Sequence, residues 1–91
     1  TLLLDAFQLQ QLHPQLLIAK MLRTLDLHGV KHQDVDSSVE NFILMNQNYF
    51  PLKIICGNSA KMIHIVEKTI DRLDAVSIML RYGTITVTEL K

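Results

Sequence analysis

Two short runs in this chain hold the side chains that could do chemistry. The first is Asp26-Leu27-His28-Gly29 followed by Lys31 and His32; the second is Cys56-Gly57-Asn58-Ser59 followed by Lys61 and His64. An imidazole titrates near neutral pH, so His28 suits the role of general base or acid on a phosphodiester. Asp26 is the carboxylate beside it. Two residues along an extended strand lie about 6–7 Å apart. Asp26 is therefore read in one of three ways: orienting the imidazole, binding a metal or chain end, or accepting backbone hydrogen bonds. Gly57-Asn58-Ser59 is a loop-and-cap sequence, and the helix it opens offers free N–H groups to an anion. Cys56 ends an apolar strand and reads as a small core residue rather than a nucleophile. His28 and His32 span a strand end and a turn rather than one helical face, and no thiolate or second acid stands beside them, so the pair is not read as a metal site.

The elements that position these residues follow from periodicity. Thr24-Leu-Asp-Leu-His28 alternates apolar and polar and is stopped by Gly29, which predicts a half-buried strand with Leu25 and Leu27 on one side. A helix is predicted over about 32–47, its stripe made by Val35, Val39, Phe42 and Ile43, with Asp34 and Asp36 near the positive N-terminal dipole and Asn46, Asn48 and Pro51 breaking it. Leu52–Cys56 is a second strand. A second helix is predicted over about 60–73, with Ser59 as N-cap and Met62, Ile65, Val66, Ile70 and Leu73 as its stripe. Ala75–Arg81 and Thr84–Leu90 read as two strands joined at Tyr82-Gly83.

The order is β-α-β-α-β-β. Right-handed crossovers predict that the first three strands are parallel, with the fourth returning antiparallel. Strands in sequential order place both helices on one face. The fold class expected is thus α/β: a two-layer sandwich with a mixed four-stranded sheet. Thr84, Thr86 and Thr88 are read as the solvent face of an edge strand. The exit loops of the first two strands then share one sheet edge, where ligands bind in open sheets. That edge gathers Lys31, His32 and Lys61 and is locally cationic, so a phosphate matches it best.

The chain has 91 residues, nine Lys+Arg against nine Asp+Glu, and 48% hydrophobic residues. A single core is expected at this length. The charge balance excludes a strongly basic nucleic-acid sponge and an acidic disordered tail. Cys56 is the one cysteine, which excludes an internal disulfide and favours a reducing, cytoplasmic setting. No apolar run approaches the ~20 residues of a membrane span, and the apolar start, running into Asp5 and a Gln-rich stretch, does not read as a signal peptide. There is no Ser–His–Asp arrangement, Walker loop or dinucleotide fingerprint. Phe7, Phe42, Tyr49, Phe50 and Tyr82 are scattered rather than gathered into a stacking platform. Residues 1–22 differ in texture: Leu2, Leu3, Leu4, Phe7, Leu9 and Leu12 form an apolar arm, and about 14–22 reads as a short helix after Pro14. So much apolar surface is expected to pack on the domain or on a second copy, making a homo-oligomer through residues 1–22.

The run Leu25-Asp26-Leu27-His28-Gly29, followed by helix, strand, glycine loop and helix, resembles the small MutS-related (Smr) domain family. The family's L-D-x-H-G motif is matched in full, and the resemblance covers about residues 24–91 of a domain placed at 23–91. It implies an α/β sandwich similar to the C-terminal domain of translation initiation factor three. It also implies binding of DNA or RNA and, in many members, endonuclease activity, by DNA nicking or RNA cleavage. On the matching positions Asp26 and His28 are the catalytic pair. Gly29, Lys31, His32, Gly57, Asn58, Ser59 and Lys61 are the candidate nucleic-acid and phosphate-binding residues. The second family motif, a T-G-x-G-x-H-S type loop, falls on Cys56-Gly57-Asn58-Ser59 with Gly57 kept. Ser59 stands where the second glycine would be, and the following His-Ser is missing from a shorter loop. The sequence requires no cofactor; a divalent metal such as magnesium is compatible with the implied reaction. A non-catalytic Smr-like module, acting through protein interaction or self-association, is the alternative expectation.

Overall fold

The computed structural model of the chain describes residues 23–91. The expected apolar arm and short helix lie outside the described residues. The elements are β1 (Arg23–Asp26), α1 (His32–Met45), a 3-10 turn (Gln47–Tyr49), β2 (Leu52–Ile55), α2 (Ala60–Arg72), β3 (Ala75–Arg81) and β4 (Thr84–Leu90). The β-α-β-α-β-β order and the mixed four-stranded sheet with two helices are those expected. α1 ends at Met45 rather than 47, because Asn46 leaves helical geometry and turns its side-chain amide onto the Phe42 carbonyl at 2.7 Å.

The strand order is β1-β2-β4-β3. The first three strands keep their sequential order across the sheet, and the edge position expected for the fourth is corrected. β1 and β2 are parallel, β4 runs antiparallel between β2 and β3, and β3 therefore points the same way as the first two. The third strand reaches the outer position and the hairpin folds back into the gap beside β2. Thr84, Thr86 and Thr88 consequently belong to an interior strand, not an edge strand; they do lie on the uncovered face, with Ile85 and Val87 buried on the other.

One apolar cluster sits between the sheet and the helices. Val35, Val39 and Ile43 of α1 and Met62, Ile63, Val66 and Ile70 of α2 meet Leu27, Leu52, Ile54, Cys56, Ile85 and Val87. Both helices thus cover the same face. Truncating a fully buried member such as Ile54 or Val66 to Ala removes apolar contacts and leaves a cavity, at a cost of about 2–4 kcal/mol. Ile63 and Thr69 are buried although the predicted stripe did not contain them.

The helices are also tied by charge. Arg72 of α2 donates to Asp36 at 2.9 Å and to Glu40 at 2.5 Å, both on α1. The Thr69 hydroxyl lies 2.6 Å from the other Asp36 oxygen. Asp36 therefore serves a cross-helix pair rather than the α1 dipole assigned to it from the sequence; Asp34 occupies the first turn. At the start of β1, the Arg23 guanidinium lies 4.2 Å from the centroid of the Tyr49 ring, anchoring the 3-10 turn. Among the described residues no helix is long and apolar enough to cross a membrane.

Candidate functional site

Parallel pairing carries β1 and β2 to the same edge of the sheet. It continues one residue past β1, where the Leu27 N–H donates to the Ile55 carbonyl at 3.0 Å. The chain then turns: Val30 N–H donates to the Leu27 carbonyl at 3.0 Å, enclosing His28 and Gly29. Gly29 takes φ +79° at the third turn position, which a side chain adopts only under strain. The sequence therefore needs glycine after His28 to release the chain from the strand into α1.

Asp26 closes this turn from the side. Its Oδ1 accepts the backbone N–H of His28 at 2.9 Å. Of the three readings open in the sequence, the geometry selects the backbone acceptor. Among the described residues the His28 imidazole makes no hydrogen bond, to Asp26 or to any other group. Both side chains are exposed. They line a cleft of about 280 Å³ together with Ile55, Cys56 and Gly57. Gly29, Lys31 and His32 line an adjoining open hollow with Val30 and Gln33. Lys31 precedes α1 without giving it a side-chain cap, so among the described residues the first-turn N–H groups of α1 have no side-chain acceptor.

The second loop starts with Gly57, at φ +71°, and ends at Ser59. Ser59 caps α2 as predicted: its Oγ accepts the Met62 N–H at 3.1 Å and its carbonyl accepts the Ile63 N–H at 3.0 Å. Among the described residues the hydroxyl proton has no acceptor. Asn58 is exposed and Ser59 half-buried in the loop, while Lys61 and His64 are exposed on α2. None of these four lines the cleft, so the structure joins Asp26, His28 and Gly57 closely and leaves Asn58, Ser59 and Lys61 beside them.

Cys56 is buried, and its thiol is pushed up to about 11, first by burial and then by the negative charge of Glu67. Burial and this upward shift fit the small core residue that the sequence suggested, held protonated near neutral pH. Metal donors are sparse here. Among the described residues no three His, Cys, Asp or Glu side chains converge, and the one carboxylate in the cleft has an oxygen committed to His28 N–H. The described residues do not bring together the donors of a protein-built metal site.

Sequence reasoning missed the contribution of Gly83. Its carbonyl accepts the Cys56 N–H at 2.7 Å, and its Cα packs directly on the backbone of Gly57. The hairpin thus buttresses the floor of the cleft from behind. The only signal was a glycine in a two-residue turn, which shows a bend but not its neighbour. Comparison with protein-family models, with curated proteins and with solved structures finds no match to this chain.

Proposed function

We propose that this chain is a nucleic-acid-binding domain of the small MutS-related type that seats a backbone phosphate where β1 and β2 leave the sheet, with His28 as the acid–base group of phosphodiester cleavage. The observation that carries the reading is the cleft shared by Asp26, His28 and Gly57, with Lys31 and His32 in the hollow beside it. The β-α-β-α-β-β sandwich supports it as well, being the architecture that the L-D-x-H-G resemblance implies. In this reading Gly57 and Asn58 let the backbone approach the phosphate. The Ser59 hydroxyl, the α2 N-terminus, Lys31, His32 and Lys61 supply donors and positive charge. Asp26 sets the turn that presents His28. A cytoplasmic setting goes with such a partner.

A non-catalytic module of the same type is the second reading, favoured by one contact. With Oδ1 of Asp26 on the His28 backbone, no carboxylate among the described residues holds the imidazole in a fixed orientation. End-labelled RNA and DNA, incubated with and without magnesium beside His28→Ala, separate the two. Cleavage lost in the variant establishes the nuclease. Intact substrate that is nonetheless bound, with affinity falling as salt rises, establishes the binding module. Failure of either nucleic acid to bind at low salt overturns both readings.

A further inference from the structure

The sheet edge farthest from the candidate site has a character that nucleic-acid binding does not explain. β3 is an outer strand: β4 pairs with one side of it, and no described strand pairs with the other. Along β3 the consecutive residues Ile78, Met79 and Leu80 are all exposed, Leu80 by 86%. A half-buried strand alternates. Here the alternation breaks because three steps along β3, from Ile78 to Arg81, match two along β4, from Thr86 to Thr84. The extra residue leaves two successive apolar side chains at the rim. Edge strands are ordinarily guarded by charge, proline or a bulge; residues 75–80 contain no charge or proline, and the bulge here leaves the apolar run exposed.

The ends of the strand indicate what covers it. Asp74 stands just before β3 and Arg81 closes it; both are exposed, and neither forms an ion pair with another described residue. Two such strands laid parallel would bring like charges together. Laid antiparallel, they bring each Arg81 next to the Asp74 of the other copy, at both ends. We infer that β3 docks a second copy of this chain, the two β3 strands running antiparallel about a two-fold axis at Ile78. Ile78 then faces its own mate, Leu80 faces Val76, and Arg81 faces Ala75 beside Asp74. The open row of N–H and C=O groups is paired, and the apolar run leaves water. The cleft between the β1 and β2 exits lies toward the opposite edge and stays accessible.

Sedimentation of the full chain across a micromolar concentration series tests this. The expected result is a mass that doubles with concentration. Leu80→Lys should weaken the dimer at least roughly tenfold without changing the circular dichroism spectrum, since a buried leucine contact is lost and an exposed position is altered. Under mild oxidation Ile78→Cys should cross-link to itself, because it alone lies on the axis, whereas Leu80→Cys should not; buried Cys56 stays silent. A mass that is monomeric throughout overturns the inference. So does a dimer indifferent to Leu80→Lys, or one in which Ile78→Cys fails to cross-link.

Discussion

Gly83, at the tip of the β3–β4 hairpin, rests its Cα against the backbone of Gly57, and a Cβ built on it would lie 2.9 Å from the Gly57 carbonyl carbon. Its φ is +87°, so a side chain there is opposed both by conformation and by a backbone neighbour that cannot swing away. Gly29 has a similar φ of +79° but meets no atom within 4 Å. The two glycines separate the effects. Gly29→Ala should cost about 1–2 kcal/mol, the strain of the left-handed conformation alone. Gly83→Ala should cost about 3 kcal/mol, since overpacking adds to the strain. Urea unfolding of both variants checks the order, and equal losses would show that the hairpin does not bear on the Gly57 loop.

The link between the helices predicts a pH dependence. The Asp36 carboxyl is held below its ordinary value of 3.8, first by the Thr69 hydroxyl and then by Arg72. A depressed carboxyl contributes stability above its unfolded pKa, and loses it as pH falls through the folded value. The folded state then has to take up a proton that the unfolded state already holds. Asp36→Asn should therefore lower the urea midpoint near about pH 7, and the gap from the parent should narrow as pH falls through the folded value. Arg72 is shifted upward by Glu40 and then Asp36, which leaves it charged throughout this range and adds no slope. A gap that stayed constant with pH would remove Asp36 from the network.

Ser59 is given two roles, and they can be told apart. Its Oγ accepts Met62 N–H as the α2 cap, while in the proposed reading its proton is the group offered to a phosphate. Ser59→Ala loses both and should lower stability by about 1 kcal/mol. Ser59→Asp keeps an acceptor for the cap but brings a negative charge to the phosphate edge. It should hold stability near the parent level while weakening binding to an end-labelled oligonucleotide. Unchanged binding would confine Ser59 to the cap.

What was legible in the sequence was whatever repeats along the chain. Val35, Val39 and Ile43 recur at helical spacing, and Ile85 and Val87 alternate with threonines, so element type and buried face followed directly. Strand order did not follow. The alternation of β4 tells which face is buried and nothing about which strands flank it, so its insertion beside β2 went unseen. The same limit hid the Asp36–Arg72 pair and the Gly57–Gly83 contact, each joining residues far apart in sequence. At the site, the Asp26–His28 relation turned on where the strand stops. β1 ends at Asp26, two residues short of the predicted end, so the carboxylate reaches around the turn to a backbone N–H instead of lying along a strand.

Cys56 gives the last prediction, and it bears on how the site is read. The thiol lies beside Gly57 at the back of the cleft, where a nucleophile would be placed, yet burial and Glu67 push it up to about 11. The thiolate is the reactive form, so near pH 7 only a minute fraction is available. Iodoacetamide should therefore leave the native chain unmodified over a period in which the urea-unfolded chain is fully alkylated, as read by intact mass. Raising the pH toward about 10 should speed native labelling, while Glu67→Gln should bring that rise to slightly lower pH, since it removes the smaller of the two causes. Rapid labelling of the folded protein near pH 7 would mean that the thiol is open and ionised, and would set Cys56 in place of His28 in the proposed reading of this cleft.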